Sequence, residues 1–107
     1  MTALEDALNY ALNLSGTYAD SPFGNAEWKV VRTANKKIFL GCYYYDVLPR
    51  INVKGNPQWN LFWRDAYASV LPGYHMNKEH WNTVILDGTV PDGDIEKMIL
   101  DSYMLVR

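Results

Sequence analysis

The stretch from Trp28 to Lys54 constrains the fold most, because it is rich in Val, Ile, Phe and Tyr and contains several strand-like runs. The runs 28–34 and 37–46 are separated by Asn35-Lys36, which predicts an antiparallel β-hairpin. A third run, 50–54, alternates between polar and apolar residues, so one side of that strand should be buried. Its expected core residues are Ile51 and Val53, and its expected solvent-facing residues are Arg50, Asn52 and Lys54.

The residues Gly55-Asn56-Pro57 end the alternation and predict the start of a helix, with Asn56 as N-cap and Pro57 as first helical residue. This helix is expected to end near Leu71-Pro72-Gly73. Its apolar residues recur at helical spacing and should share one face. They are Trp59, Phe62, Trp63, Ala66 and Val70.

Two further helices are predicted at the ends of the chain. The first runs from about Ala3 to Asn13 and begins with a capping box of Thr2 and Glu5. The last begins at Val90-Pro91-Asp92, with Asp92 as its cap and acidic residues in its first turn. Its inward face is expected to contain Ile95, Met98, Ile99, Ser102, Tyr103 and Val106.

The remaining segments complete an α+β domain spanning residues 1–107. Tyr74 to Met76 predicts a short strand, Trp81 to Leu86 a longer one, and Ser21 to Asn25 a turn. The expected order is α-β-β-β-α-β-β-α, with helices packed against a twisted, mostly antiparallel sheet.

Composition narrows the class of protein further. A chain of 107 residues with 49% hydrophobic residues is long enough to bury one core. No apolar run approaches the roughly 20 residues of a membrane span, and Glu5 and Asp6 stand where a secretory signal would be basic. One cysteine, Cys42, excludes an internal disulfide. We therefore expect a cytoplasmic protein that does not enter membranes.

The charges are distributed unevenly although the net charge is only −2. Seven basic residues and one acid, Asp46, lie between Trp28 and Arg64, whereas most acids lie near the two ends of the chain. This pattern predicts a protein with one basic and one acidic side.

The C-terminal half carries a pattern of unusual residues in a fixed order. It consists of Tyr74, Asn77-Lys78, His80-Trp81, Asp87-Gly88, Pro91-Asp92 and Ser102-Tyr103. With Ser21-Pro22-Phe23-Gly24, this pattern resembles the MmcQ/YjbR-like family of small bacterial proteins over essentially the whole chain. The resemblance implies a fold similar to that of the frataxin-like protein CyaY and a DNA-binding function. It supplies no catalytic residues, and the acidic net charge departs from a typical DNA-binding protein.

Catalytic and metal sites are weakly supported by the residues themselves. His75 and His80 are five residues apart and lack the further ligands of a closed metal site. Lys78 and His80 could act as a general acid–base pair, but a tight turn leading into the Trp81 strand explains them better. Cys42 lies in an apolar run and is expected to be buried. We therefore predict no enzymatic activity, no metal and no cofactor.

The basic residues carry the functional hypothesis, because cations aligned on a sheet can contact a phosphate backbone. The expected nucleic-acid-binding residues are Lys29, Arg32, Lys36, Lys37, Arg50, Lys54 and Lys78. One tyrosine of Tyr43 to Tyr45 should point outward, where it could stack on a base or sugar. The expected partner is DNA, and the chain should be a monomer or weak homodimer. The alternatives are a protein-binding adaptor and basic residues that only keep the sheet edges soluble.

Overall fold

The computed structural model of the protein describes residues 1–24 and 27–107, which form three helices and six strands. The helices are α1 (Leu4–Leu12), α2 (Pro57–Ala66) and α3 (Asp92–Val106). The strands are β1 (Tyr18–Asp20), β2 (Lys29–Arg32), β3 (Ile38–Tyr45), β4 (Leu48–Lys54), β5 (Val70–Pro72) and β6 (Trp81–Ile85).

All six strands belong to one antiparallel sheet in the order β1-β2-β3-β4-β6-β5. The helices α1 and α3 pack against the central strands β3 and β4, and α2 packs against β5 and β6. The predicted α+β class with a mostly antiparallel sheet is therefore confirmed. Its closer likeness to CyaY stays a prediction.

The predicted hairpin is confirmed with shorter strands, and the third predicted strand begins earlier, at Leu48. Alternation places Leu40 opposite Val53 and Cys42 opposite Ile51, so these apolar side chains share the side that α1 and α3 cover. Burial of this contiguous apolar layer is the main favourable term in folding. Of the predicted turn at 21–25, Gly24 N donates to Ser21 O at 3.1 Å, whereas Asn25 lies outside the described residues.

The segment after Ala66 differs from the prediction. Tyr67 is extended, with φ −135° and ψ 127°, so α2 ends there rather than near Leu71. Val70 instead pairs with Val84 in the sheet, where its side chain is buried. The predicted strand at 74–76 is wrong, because His75 has a φ of 59° and the segment forms a turn. The short edge strand β1 was not predicted.

Helix starts are only partly as predicted. Asn56 caps α2 as expected, accepting a hydrogen bond from Gln58 N at 2.9 Å. The capping box at α1 is wrong, because Ala3 is the N-cap and no side chain caps the helix. Asp92 is likewise not a cap but the first residue of α3, where it pairs with the amino group of Met1.

The inward face predicted for α3 is confirmed at all six positions. Ser102 fixes this helix to the sheet, because its Oγ donates to Phe39 O at 2.6 Å and accepts from Lys54 N at 2.9 Å. Tyr103 packs edge-on against Phe39 at a centroid distance of 5.3 Å. Within the described ranges, no helix is long and apolar enough to cross a membrane.

Candidate nucleic-acid interface

The side of the sheet opposite α1 and α3 carries a continuous set of polar and aromatic side chains. Gly41 pairs with Asn52, and Tyr43 pairs with Arg50. Because directly opposite residues of antiparallel strands share a side, all four lie on this surface. The same register continues into β6, where Asn52 pairs with Thr83 and Lys54 with Trp81. We name this surface the helix-free face. Its residues are Gly41, Tyr43, Tyr45, Arg50, Asn52, Lys54, Trp81 and Thr83.

Five aromatic rings from distant parts of the chain form a layer on the helix-free face. Trp28 stacks on Tyr43 with a centroid distance of 4.0 Å and an interplanar angle of 9°. Tyr74 lies 5.9 Å from Tyr43 and 5.1 Å from Tyr45, and Phe23 packs edge-on against Trp28 at 5.8 Å. We call Phe23, Trp28, Tyr43, Tyr45 and Tyr74 the aromatic layer.

A buried polar network holds the aromatic layer in place. The Asn52 side chain accepts hydrogen bonds from Tyr43 Oη at 2.9 Å and Thr83 Oγ1 at 2.6 Å, and donates to Tyr74 O at 3.0 Å. Burial raises the pKa of Tyr43, so its hydroxyl stays protonated and remains a donor at neutral pH. Asn52 was expected to face solvent, but the aromatic layer covers it and only 1% of it is exposed.

Arg50 is the cation that the helix-free face presents most clearly. Its guanidinium carbon lies 4.8 Å from the centroid of the Tyr45 ring, a cation–π arrangement. The guanidinium forms no ion pair within the described ranges, and its buried Nε has no hydrogen-bond partner there. The Tyr45 ring therefore positions the group, and its terminal Nη donors, unlike the buried Nε, are available to an external acceptor.

The other predicted cations are not all in one place. Lys54 shares the helix-free face with Arg50 and is half-buried. Lys36, with a φ of 69°, and Lys37 are exposed in the hairpin turn between β2 and β3. The exposed Lys78 lies in the turn before β6, where its Nζ donates to Gly73 O at 3.1 Å. Strand register places both turns at the end of the sheet where Lys54 lies.

Two of the seven predicted cations are less suitable. Arg32 forms an ion pair with Asp20 at 2.9 Å and donates to Lys36 O at 2.8 Å, so its charge is already compensated. Lys29 pairs with Cys42 in the sheet, which places it on the side that the helices cover. The interface thus reduces to Arg50 and Lys54, with Lys36, Lys37 and Lys78 at one end.

Many acidic residues lie on the opposite side of the molecule. The helices α1 and α3 carry Glu5, Asp6, Asp92, Asp94, Glu96 and Asp101 and pack against the other side of the sheet. The exceptions are Asp20 and Asp46 near the sheet, Glu79 beside Lys78 in the turn before β6, and the cations Lys29 and Lys97 on the helix side. The predicted separation of charge along the sequence is therefore only partial in space.

The turn predicted at Lys78 to His80 is confirmed. Asn77 Oδ1 accepts hydrogen bonds from Glu79 N at 2.9 Å and His80 N at 3.1 Å, which closes the turn before β6. Both histidines are exposed, and no group of three metal-ligating side chains occurs in the ranges 1–24 and 27–107. The Trp81 side chain was expected to pack against the helices, but register places it on the helix-free face, half-buried.

Cys42 is buried as predicted, and its burial raises the pKa of the thiol to about 12 although Lys29 lies nearby. The reactive thiolate is therefore almost absent at pH 8. We expect iodoacetamide to modify the native protein at least about a hundredfold more slowly than the protein unfolded in guanidinium chloride. Mass spectrometry over time checks this, and equal rates in the two states would contradict the burial of Cys42.

Sequence patterns alone did not reveal Trp28, Tyr74 and Thr83 as parts of this surface. Trp28 was assigned to a strand and Tyr74 to another, and neither assignment indicated that their rings meet over Asn52. A polar residue between two core positions of a strand, such as Asn52, was the available signal, because it is compatible with a buried network as well as with solvent.

Comparisons of the sequence with known proteins identify one family. The family model described as YjbR matches residues 12–105. The uncharacterized protein YbdF of Escherichia coli O157:H7 is 36% identical over 102 residues, covering 95% of this chain and 82% of that protein. The uncharacterized protein YyaQ of Bacillus subtilis is 30% identical over 119 residues and is covered completely, as is this chain.

Solved structures show the same architecture. A crystal structure of a Deinococcus radiodurans protein matches with a TM-score of 0.88 and 30% identity, covering 98% of this chain and 78% of that one. A crystal structure from Pseudomonas syringae matches with a TM-score of 0.85 and 28% identity, covering 96% and 97% of the two chains. With the family model spanning most of the sequence, the chain belongs to the YjbR family.

Proposed function

We propose that this protein is a non-enzymatic DNA-binding protein that contacts DNA through the helix-free face. The main support for this proposal is the position of Arg50. Its guanidinium lies over the Tyr45 ring and forms no ion pair or hydrogen bond with the described residues. Planar guanidinium groups of this kind suit phosphate oxygens, with which they form paired hydrogen bonds. Arg50 thus provides the central phosphate contact.

The surroundings of Arg50 support an extended contact. Lys54 lies four residues along the same strand, so the two cations are about 13 Å apart by strand geometry, close to the spacing of two or three phosphates. Lys36, Lys37 and Lys78 extend the basic surface beyond Lys54. The acids of α1 and α3 lie behind the sheet, so they orient the basic side toward a polyanion.

The exposed aromatic rings favour single-stranded over duplex DNA. Tyr45 is 46% exposed and Phe23 is 66% exposed, so each offers part of its ring to a base. Base–aromatic stacking requires unpaired bases, whereas phosphate contacts serve both forms of DNA. The protein should therefore bind both forms at low ionic strength and bind the single strand more tightly.

Charge reversal at Arg50 tests this function. We expect Arg50→Glu to weaken binding to labelled single-stranded DNA about tenfold at low ionic strength, because it replaces a phosphate contact by a repulsion. Arg50→Gln should reduce the slope of log affinity against log salt concentration by about 1. Fluorescence anisotropy titrations at several salt concentrations measure both quantities.

Lys29→Glu is the matched control, because it changes the net charge equally but lies in register with Cys42 on the other side of the sheet. It should weaken binding less than Arg50→Glu does. The proposal is wrong if the unaltered protein binds neither form of DNA, or if the two charge reversals weaken binding equally.

A further inference from the structure

A cleft on the helix side of the molecule lies between α2, α3 and the end of β4, with a volume of about 370 Å³. This volume falls within the range of small-molecule binding sites. Most of the walls are apolar side chains from three elements. They are Val53, Trp59, Trp63, Met98, Met104 and Leu105.

The apolar walls of the cleft are left open to solvent. Trp59 is 49% exposed and Met104 and Leu105 are 51% and 54% exposed, although Trp63 behind them is buried. The spacing of Trp59 and Trp63 predicted that both share one face of α2, but only Trp63 is buried. Apolar side chains gathered around a concave surface are unfavourable in water and indicate a surface that binds a ligand or partner.

Asn60 provides a hydrogen-bond acceptor in the wall of this cleft. Only 3% of this residue is exposed, and its Nδ2 donates to Gly55 O at 3.1 Å and Glu79 O at 3.0 Å. These two carbonyl acceptors fix the orientation of the amide, because the nitrogen must face them. Its Oδ1 accepts no hydrogen bond from any residue that the structure describes.

The unpaired Oδ1 is open to a molecule in the cleft, because no described residue donates a hydrogen bond to it. It lies beside Gly55, where any larger residue would overlap it, so the glycine creates its space. The neighbouring Asn82, by contrast, is fully engaged: its Oδ1 accepts from Arg64 Nε at 2.6 Å, and its Nδ2 donates to Asn60 O at 3.1 Å. Asn60 Oδ1 is therefore available to a donor from outside the protein.

The chemistry of the walls narrows the ligand class. The Trp59 and Trp63 rings lie 6.1 Å apart with an interplanar angle of 30°, and the thioethers of Met98 and Met104 pack favourably against aromatic rings. At the rim, Lys97 and Asp101 form an ion pair at 3.3 Å and compensate each other. Lys54 also lines the cleft and adds one positive charge, so the aromatic walls rather than a balance of charge define the ligand.

We propose that this cleft binds a small aromatic molecule that donates one N–H or O–H hydrogen bond to Asn60 Oδ1. The ring of the ligand packs against Trp59, Trp63 and Met104. This site shares Lys54 with the helix-free face, but its test uses uncharged probes and does not depend on DNA binding.

Two probes of the same shape test the proposal. Indole carries an N–H donor, and benzofuran replaces that group by an oxygen that cannot donate. We expect saturable indole binding that shifts the Trp59 and Trp63 indole N–H signals in NMR titrations and leaves that of Trp28 unchanged. Benzofuran should bind about tenfold more weakly, because it leaves the acceptor unpaired.

Substitutions on α3 locate the binding site. Met104→Trp should fill the cleft and weaken indole binding at least about tenfold, since the ring would occupy the ligand volume. Leu105→Trp, also a partly exposed wall residue, provides a second variant with the same expected result. Leu100→Trp is the matched control, because Leu100 is partly exposed on the same helix but does not line the cleft. It should bind indole as the unaltered protein does.

Three results would overturn the proposal. The first is the absence of saturable indole shifts at Trp59 and Trp63. The second is equal affinity for indole and benzofuran. The third is a concentration-dependent shift of the same signals without any probe, together with a dimer in light scattering, because a second copy of the chain would then cover the cleft.

Discussion

Asn52→Ala is expected to lower the free energy of unfolding by about 3 kcal/mol, because it removes the centre of the buried network under the aromatic layer. Asn52 accepts hydrogen bonds from Tyr43 Oη and Thr83 Oγ1 and donates to Tyr74 O. The variant leaves the Tyr43 hydroxyl and the Tyr74 carbonyl without this partner, and buried unpaired groups each cost about 1–3 kcal/mol. Urea unfolding with linear extrapolation measures the loss.

The same substitution should loosen the rings above it. Tyr74 is held partly by the hydrogen bond from Asn52 to its carbonyl, and its ring contacts Tyr43 and Tyr45. We therefore expect a weaker near-ultraviolet circular dichroism signal in Asn52→Ala below its unfolding transition. Asn9→Ala is the matched control, because Asn9 is exposed in α1 and should change stability by less than about 0.7 kcal/mol. A loss below about 1 kcal/mol for Asn52→Ala would contradict the role of the network.

The alternation around Asn52 correctly predicted which residues of β4 share a side. It did not predict that the side containing Asn52 is also buried. Side chains alternate between the two sides of a strand, so the sequence indicates which residues share a side. Ile51 and Val53 do face the core. Whether the other side meets water depends on Trp28 and Tyr74, which arrive from other segments of the chain. Their arrival over Asn52 is a tertiary event that no local pattern contains.

The same limit explains the errors around α2. Its start follows from local chemistry, since the Asn56 cap and Pro57 act within one turn. Its end does not, because Val70 continues the helical spacing of apolar residues but gains more by pairing with Val84 in the sheet. Short edge strands such as β1 and β5, each three residues long, carry too few residues for a period to be recognised.

For the candidate interface, the sequence predicted the basic stretch but treated all its cations alike. Arg32 and Arg50 differ only through their neighbours: Arg32 lies beside Asp20, and Arg50 lies over Tyr45. Those neighbours are set by strand register. Asp20 reaches Arg32 through the pairing of β1 with β2, and β1 was not predicted, so the sequence alone could not separate the two arginines.

Gly73→Ala is expected to destabilise the protein by about 3 kcal/mol, through a steric clash that cannot be relieved by a side-chain rotation. A methyl group at position 73 would lie 2.7 Å from Trp81 Cβ and 2.9 Å from Trp81 O. The backbones are this close because Gly73 N donates to Trp81 O at 2.9 Å, which fixes the loop carrying Tyr74. Relief of the clash requires the loop to move away from β6, so thermal unfolding should shift down by roughly 10–20 °C.

Gly93→Ala is the matched control, because the same chemical change there meets no atom within 4 Å. Gly93 lies in the first turn of α3, where alanine is favoured over glycine, so stability should rise by about 0.5–1 kcal/mol. The expected changes in stability have opposite signs at the two positions. This difference distinguishes the steric clash at Gly73 from any general effect of replacing glycine by alanine. If both variants shift the unfolding temperature in the same direction, the close approach of Gly73 and Trp81 does not determine the position of the loop. In that case Tyr74 must be held over Tyr43 by its hydrogen bonds with Asn52 and Thr83, the second of which joins Tyr74 N to Thr83 Oγ1 at 2.8 Å, and Asn52→Ala should then loosen its ring further.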